Sequence, residues 1–218
     1  MTVYSYGKRV DVERTGVRDP FGNALASGLV QGWQNCSVLA DMPVCGKKTA
    51  PDLVALRDDG HIAVIECKRA SSGHAKKGMF EQVLMYGEIL RTLLLEDQAA
   101  AFFAQCEMAS SCSSRERLPS FVPSCAADAL HLWIVVDRWS GRMDVTARYT
   151  WEFLNRALER EGRPPIKVWA VGHGGAPMDI AAQRSAWQTA QLTPDHSRMI
   201  GGTPTPHRTA FSMTRRFV

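Results

Sequence analysis

The chain has six cysteines (Cys36, Cys45, Cys67, Cys106, Cys112 and Cys125) but no C-x-x-C pair. Thiols scattered in this way read as reduced cysteines in a reducing compartment, ahead of disulfides. A metal or iron–sulfur site built from Cys106, Cys112 and Cys125 would still need a fourth ligand, and the spacing suggests none. Long apolar runs are missing too, so no segment is expected to cross a bilayer. The opening residues, Met1 to Arg9, lack the basic-then-apolar order of a signal peptide. The expected location is the cytoplasm, with no membrane partner. G-x-S-x-G, a Walker loop and H-E-x-x-H are all absent, which leaves no sign of a hydrolase elbow, a P-loop or a zincin. Excess charge is small: the net charge of +4 fits a polyanion partner without establishing one.

What is present is an ordinary globular composition, 45% apolar and 22% charged. A length of 218 residues suits one sizeable domain with at most an appendage. Leu25, Leu29 and Trp33 stand four apart and predict a helix over Phe21 to Gln34. A short strand is expected over Val38 to Val44. Two strand-like runs follow, Asp52 to Arg57 and Ile62 to Lys68, joined by Asp58-Asp59-Gly60-His61, a hairpin signal because Gly supplies the positive φ of a tight turn. From Lys77 to Glu96 the period becomes helical, with Met79, Val83, Tyr86, Gly87, Leu90 and Leu94 on one face. Residues 108–128 read as an irregular Ser/Pro-rich connection, 130–137 as the most apolar strand, and 150–161 as a helix ending at Gly162. A strand over Ile166 to Val171, a glycine turn and a helix over Asp179 to Gln191 complete the order. The fold class is therefore α/β, a central mixed β-sheet flanked by helices. The helix from Lys77 carries the chain back across the sheet, which predicts that the strand at 130 runs parallel to the one ending at Lys68.

The stretch with the strongest chemistry is "TAPDLVALRDDGHIAVIECKRA", residues 49–70. Side chains alternate along a strand, so Glu66 and Lys68 project to one side, roughly 6–7 Å apart, and Cys67 to the other, where it packs with Ile65. Asp52 begins the partner strand near the end where Glu66 lies. Two carboxylates and an ammonium then meet at one edge of the sheet. Such a group suits a hard cation, Mg²⁺ or Mn²⁺, held by Asp52, Glu66 and the backbone carbonyl of Cys67, with waters and substrate phosphates filling the remaining positions. The ion would polarise a phosphoryl oxygen and lower the pKa of a bound water, and Lys68 would orient that water or neutralise developing charge.

Pro51-Asp52, thirteen residues, then Glu66-Cys67-Lys68 resembles the signature of the PD-(D/E)xK nuclease superfamily, and Gln82-Val83-Leu84-Met85-Tyr86 resembles the Q-x-x-x-Y motif of its RecB-like branch. The resemblance covers roughly residues 21–140. It implies a restriction-endonuclease-like core over residues 1–192, followed by a basic C-terminal tail, 193–218. It implies that Asp52 and Glu66 bind the metal, that Lys68 is catalytic, and that Gln82 and Tyr86 support the site or contact DNA. The activity implied is metal-dependent phosphodiester hydrolysis, on DNA ahead of RNA; a homodimer and a partner subunit both stay open. One departure is visible: where many relatives add an acid from the first helix, the stripe at 21–34 offers only Gln31 and Gln34, and Glu13 is the nearest acid.

Plainer readings stand beside these. As the lesser reading, Asp52 merely follows a proline at a turn and Glu66 and Lys68 form a surface ion pair worth under about 1 kcal/mol; Gln82 and Tyr86 have a second reading as the rim of a core-facing helix. His74, Lys76 and Lys77 form a basic cluster after Lys68 that suits a backbone phosphate or a solvated loop. His61 in the hairpin turn reads as solvent-facing. Gly172-His173-Gly174-Gly175 reads as a turn, with phosphate binding as the second reading. The alternatives to a nuclease are a non-cleaving nucleic-acid-binding module, or subunit of a larger defence, recombination or repair assembly, and a protein with no nucleic-acid role.

Overall fold

The computed structural model describes residues 3–5, 14–42, 50–71, 78–96, 121–172 and 177–184. Seven strands form one sheet in sequence order: β1 (Val3–Ser5), β2 (Cys36–Ala40), β3 (Leu53–Arg57), β4 (Ile62–Lys68), β5 (Leu130–Val136), β6 (Lys167–Ala170) and β7 (Met178–Asp179). β2, β3 and β4 pair antiparallel, β4, β5 and β6 pair parallel, and the outer strands add one parallel pair (β1 with β2) and one antiparallel pair (β6 with β7). The expected mixed sheet and the parallel pairing of β4 with β5 are both present.

Among the described residues three longer helices flank the sheet: α1 (Asp19–Ala26), entered through a π-helical turn at Arg14–Arg18, α2 (Met79–Leu95) and α3 (Gly141–Arg160). Alternation along β4 divides two cores. Ala63, Ile65 and Cys67 face α1, where Phe21, Trp33, Trp133 and Trp169 cluster. Ile62 and Val64 face α2 and α3, against Met79, Phe80, Val83, Tyr86, Leu90 and Leu94. β4 is buried along its whole length because both faces are covered, as a central strand between parallel and antiparallel neighbours must be.

Several boundaries differ from expectation for local reasons. The first helix stops at Ala26 and not at Gln34, because Gly28 takes a left-handed φ of 71° and reverses the chain. Leu29 is consequently exposed, and Trp33 reaches the core from a turn. β2 ends at Ala40, where Asp41 adopts φ 55°. The hairpin turns at Gly60 with φ 88°, as the Asp-Gly pair predicts. α3 begins about two and a half turns earlier than the pattern at 150–161 suggests, at a Ser140 cap whose hydroxyl accepts from the Met143 N–H at 3.3 Å. The helix expected over 179–191 is preceded by β7 and begins at Ile180; its remainder, like residues 106–120 and the tail 193–218, lies outside the described residues.

α2 lies close against β5 because Gly87 has no side chain: a Cβ there would overlap Leu132 Cδ2, and Leu132 is itself buried. Gly87→Ala is expected to destabilise the fold by about 1–3 kcal/mol, the usual cost of forcing a methyl into a filled core. Urea unfolding checks this, and an unchanged midpoint would mean that Leu132 swings aside at no cost.

Candidate active site

The hairpin register pairs Leu53 with Ile65, so Asp52, one residue before β3, stands across from Glu66. Its placement is fixed by a backbone contact: Asp52 Oδ2 accepts from the Cys67 N–H at 2.7 Å. Its own carbonyl accepts from the Asp41 N–H at 3.2 Å, which ties the start of β3 to the end of β2. Asp52 thus sits just outside the strand it was expected to begin, at the end of a central strand pair.

Glu66 and Lys68 project together, as alternation requires. They are not a surface pair. Glu66 is 3% exposed and Lys68 9% exposed, and Lys68 Nζ donates to Glu66 Oε1 at 2.5 Å. Both lie on the face of β4 opposite Cys67, the side that α2 covers. Cys67 packs in the α1-side core, as expected. Its thiol is held well above its ordinary pKa, by burial first and then by the carboxylates of Asp52 and Glu66, while Arg18 and Lys68 act in the opposite direction. Four charged groups therefore lie within electrostatic reach of one strand end.

Gln82 and Tyr86 lie one and two turns into α2, whose first residues follow the loop from Lys68. Tyr86 is buried, and Gln82 Oε1 is buried with no hydrogen-bond partner among the described residues. His74, Lys76, Lys77 and Glu13 lie outside the described residues, as do residues 173–176 of the glycine turn.

Among the described residues no three His, Cys, Asp or Glu side chains come together as a ligand group. Asp52 and Glu66 supply two carboxylates, and the rest of an octahedral shell would fall to the Cys67 carbonyl, water and substrate phosphate, the pattern magnesium favours.

Some features of the strand end were not visible in the sequence. Arg18 is buried, with Nη1 2.7 Å from Asp41 Oδ1 and Nε 3.2 Å from Asp19 Oδ1. The local run Arg18-Asp19-Pro20 reads only as a helix start; its long-range partner Asp41 has no sequence signal. Beside it, Asp137 of the segment after β5 accepts from the Ala70 N–H at 2.7 Å and ties the chain beyond Lys68 to the chain beyond Val136.

At the opposite end of the sheet His61 is not simply solvated: its Nδ1 lies 2.9 Å from His131 Nε2, with the rings stacked at 5.2 Å. Such a contact needs a lone pair on one ring. His131 accordingly has its pKa lowered to about 4, by burial first, then by the charges of His61, Arg57 and Lys167, with Asp128 opposing. A histidine titrates near 6.5 when unfolded. The unfolded chain therefore takes up a proton that the folded chain refuses, so stability present above pH 6.5 is lost as pH falls toward 4. Urea midpoints measured across that window are expected to fall in the wild type and to fall less in His131→Gln. Equal slopes would contradict the assignment.

No protein-family model matches the chain, and no curated protein or solved structure is similar to it at a significant level. No helix among the described residues is long and apolar enough to cross a membrane.

Proposed function

We propose that the chain is a metal-dependent nuclease of the PD-(D/E)xK type, which hydrolyses phosphodiester bonds in DNA in preference to RNA. The observation that carries this reading is the buried Glu66–Lys68 pair beside Asp52. Burying two charges costs several kcal/mol per ion, and an apolar pair of similar size would serve the fold as well or better. An acid–lysine pair kept at the end of an otherwise apolar strand is thus better explained by chemistry than by stability.

In this reading Asp52 and Glu66, with the Cys67 carbonyl, hold Mg²⁺ or Mn²⁺. When bound, the metal supplies Lewis-acid polarisation of a phosphoryl oxygen and a more acidic water. Asp52 is oriented by the Cys67 N–H, which donates to its Oδ2 at 2.7 Å and holds the carboxylate at the strand end. Lys68, aligned by Glu66, orients the attacking water or neutralises charge developing on a phosphate oxygen. Gln82 and Tyr86 line the α2 side and position the strand being cut.

The test is cleavage of linear and circular DNA in Mg²⁺, Mn²⁺ or EDTA. Metal-dependent cutting is expected, and survival of circular DNA alone would favour exonucleolytic attack. A second reading, a nucleic-acid-binding module or subunit that does not cut, is favoured by one observation: the described residues hold no three-ligand metal group. That reading predicts salt-sensitive binding with the substrate left whole.

A further inference from the structure

Among the described residues, the outer face of α3 carries a line of exposed side chains. Val145, Tyr149 and Phe153 recur every four residues and are 73%, 77% and 71% exposed. Met143, Ala147, Trp151 and Leu158 form the buried face of the same helix. At 100° per residue, Arg142, Arg156 and Arg160 fall on the same line as the apolar residues, and all three are exposed. No acidic residue falls on that line. The nearest, Glu152 and Glu159, stand to one flank, and Glu152 is engaged by Arg148 at 2.8 Å, by Arg184 at 3.6 Å and by Arg156 of the stripe itself at 4.0 Å. The stripe therefore sets two exposed aromatic rings between Arg142 on one side and Arg156 and Arg160 on the other, over about 27 Å.

Its position links it to the candidate site. β5 runs parallel to β4 with Val136 paired to Lys68, and α3 starts at Gly141, so the Arg142 end lies at the same end of the sheet as Asp52, Glu66 and Lys68. Exposed Arg138 stands in the segment between.

We infer that this face binds single-stranded nucleic acid, with bases stacked on Tyr149 and Phe153 and phosphates met by Arg142, Arg156 and Arg160. Flat rings spaced along a basic track are what an unpaired strand needs, because every base has a π-face and every nucleotide a charge. A duplex, whose bases are already stacked, would leave the rings unused. A second copy of the chain fits less well: a twofold pairing of this face would bring its line of arginines against the same line in the partner. The inference rests on the nuclease reading only for the choice of polymer, and it makes the substrate a strand that is unpaired beside the cutting site.

The test uses the full chain and a fluorescein-labelled oligodeoxythymidylate, followed by anisotropy. Tyr149→Ala and Phe153→Ala are each expected to weaken binding about tenfold, since stacked aromatics contribute on that scale. Replacing Arg142, Arg156 and Arg160 together with Gln should reduce the slope of log affinity against log salt by about 2. All of these residues are exposed, so unfolding midpoints should stay put. Wild-type affinity in the aromatic variants, or no binding by the wild type, overturns the inference, as does a dimer that these variants dissociate without a change in oligonucleotide affinity. The two readings fail separately. Cleavage by the wild type with unaltered binding in the variants sinks only the α3 face, whereas aromatic-dependent binding without cleavage in any metal sinks only the nuclease.

Discussion

Asp52→Asn is expected to lower DNA cleavage by about 10³-fold or more, with the fold unchanged. The amide keeps an oxygen that can accept from the Cys67 N–H, which holds the wild-type carboxylate at 2.7 Å, so the backbone anchor survives. What disappears is one of two anionic ligands. A loss of about 4 kcal/mol in stabilisation of the transition state corresponds to roughly 10³ in rate, and removing half the charge that holds the ion is of that order. The unfolding midpoint of Asp52→Asn should match the wild type. Cleavage within a fewfold of wild type would remove Asp52 from the mechanism.

The second large effect concerns stability and function together. Lys68→Ala is expected to destabilise the protein by about 3–5 kcal/mol, because it strips Glu66 of a buried cationic partner. Lost activity in that variant alone would be ambiguous. The double variant Glu66→Leu/Lys68→Met separates the effects. It replaces both charges with apolar side chains of similar size, and such swaps of buried ion pairs are often neutral or stabilising. It should therefore regain most of the stability lost in Lys68→Ala while remaining inert. A double variant that still cuts would contradict the proposed chemistry; one as unstable as Lys68→Ala would contradict the view that the pair is costly to the fold.

Much of this frame was readable because local and global signals agreed. β3, β4 and their turn follow from alternation and one Asp-Gly pair, and every member of the apolar face expected from Met79 to Leu94 is buried. The placement of Glu66 and Lys68 on one side follows from alternation alone, and that of Asp52 from a hairpin register set by the turn. Their burial did not follow, since it depends on α2 covering that face. Elements whose cause lies elsewhere in the chain were missed. The start of α3 is disguised because Arg142, Val145 and Tyr149 face outward, so its early turns show little of the usual apolar face. Leu29 continued a helical stripe that Gly28 had already ended. Arg18 with Asp41 and His61 with His131 are separated by 23 and 70 residues, and each pair exists only because the sheet brings its members together.

The central claim is that the Asp52, Glu66 and Lys68 cluster cuts phosphodiester bonds. Its most direct test is a single-turnover assay, with protein in excess over end-labelled DNA in Mg²⁺, comparing wild type, Asp52→Asn and the Glu66→Leu/Lys68→Met double variant. Cleavage by the wild type that EDTA stops, and that both folded variants lack, is the predicted result. Equal cleavage by all three proteins, or wild-type cleavage that EDTA leaves untouched, would contradict it.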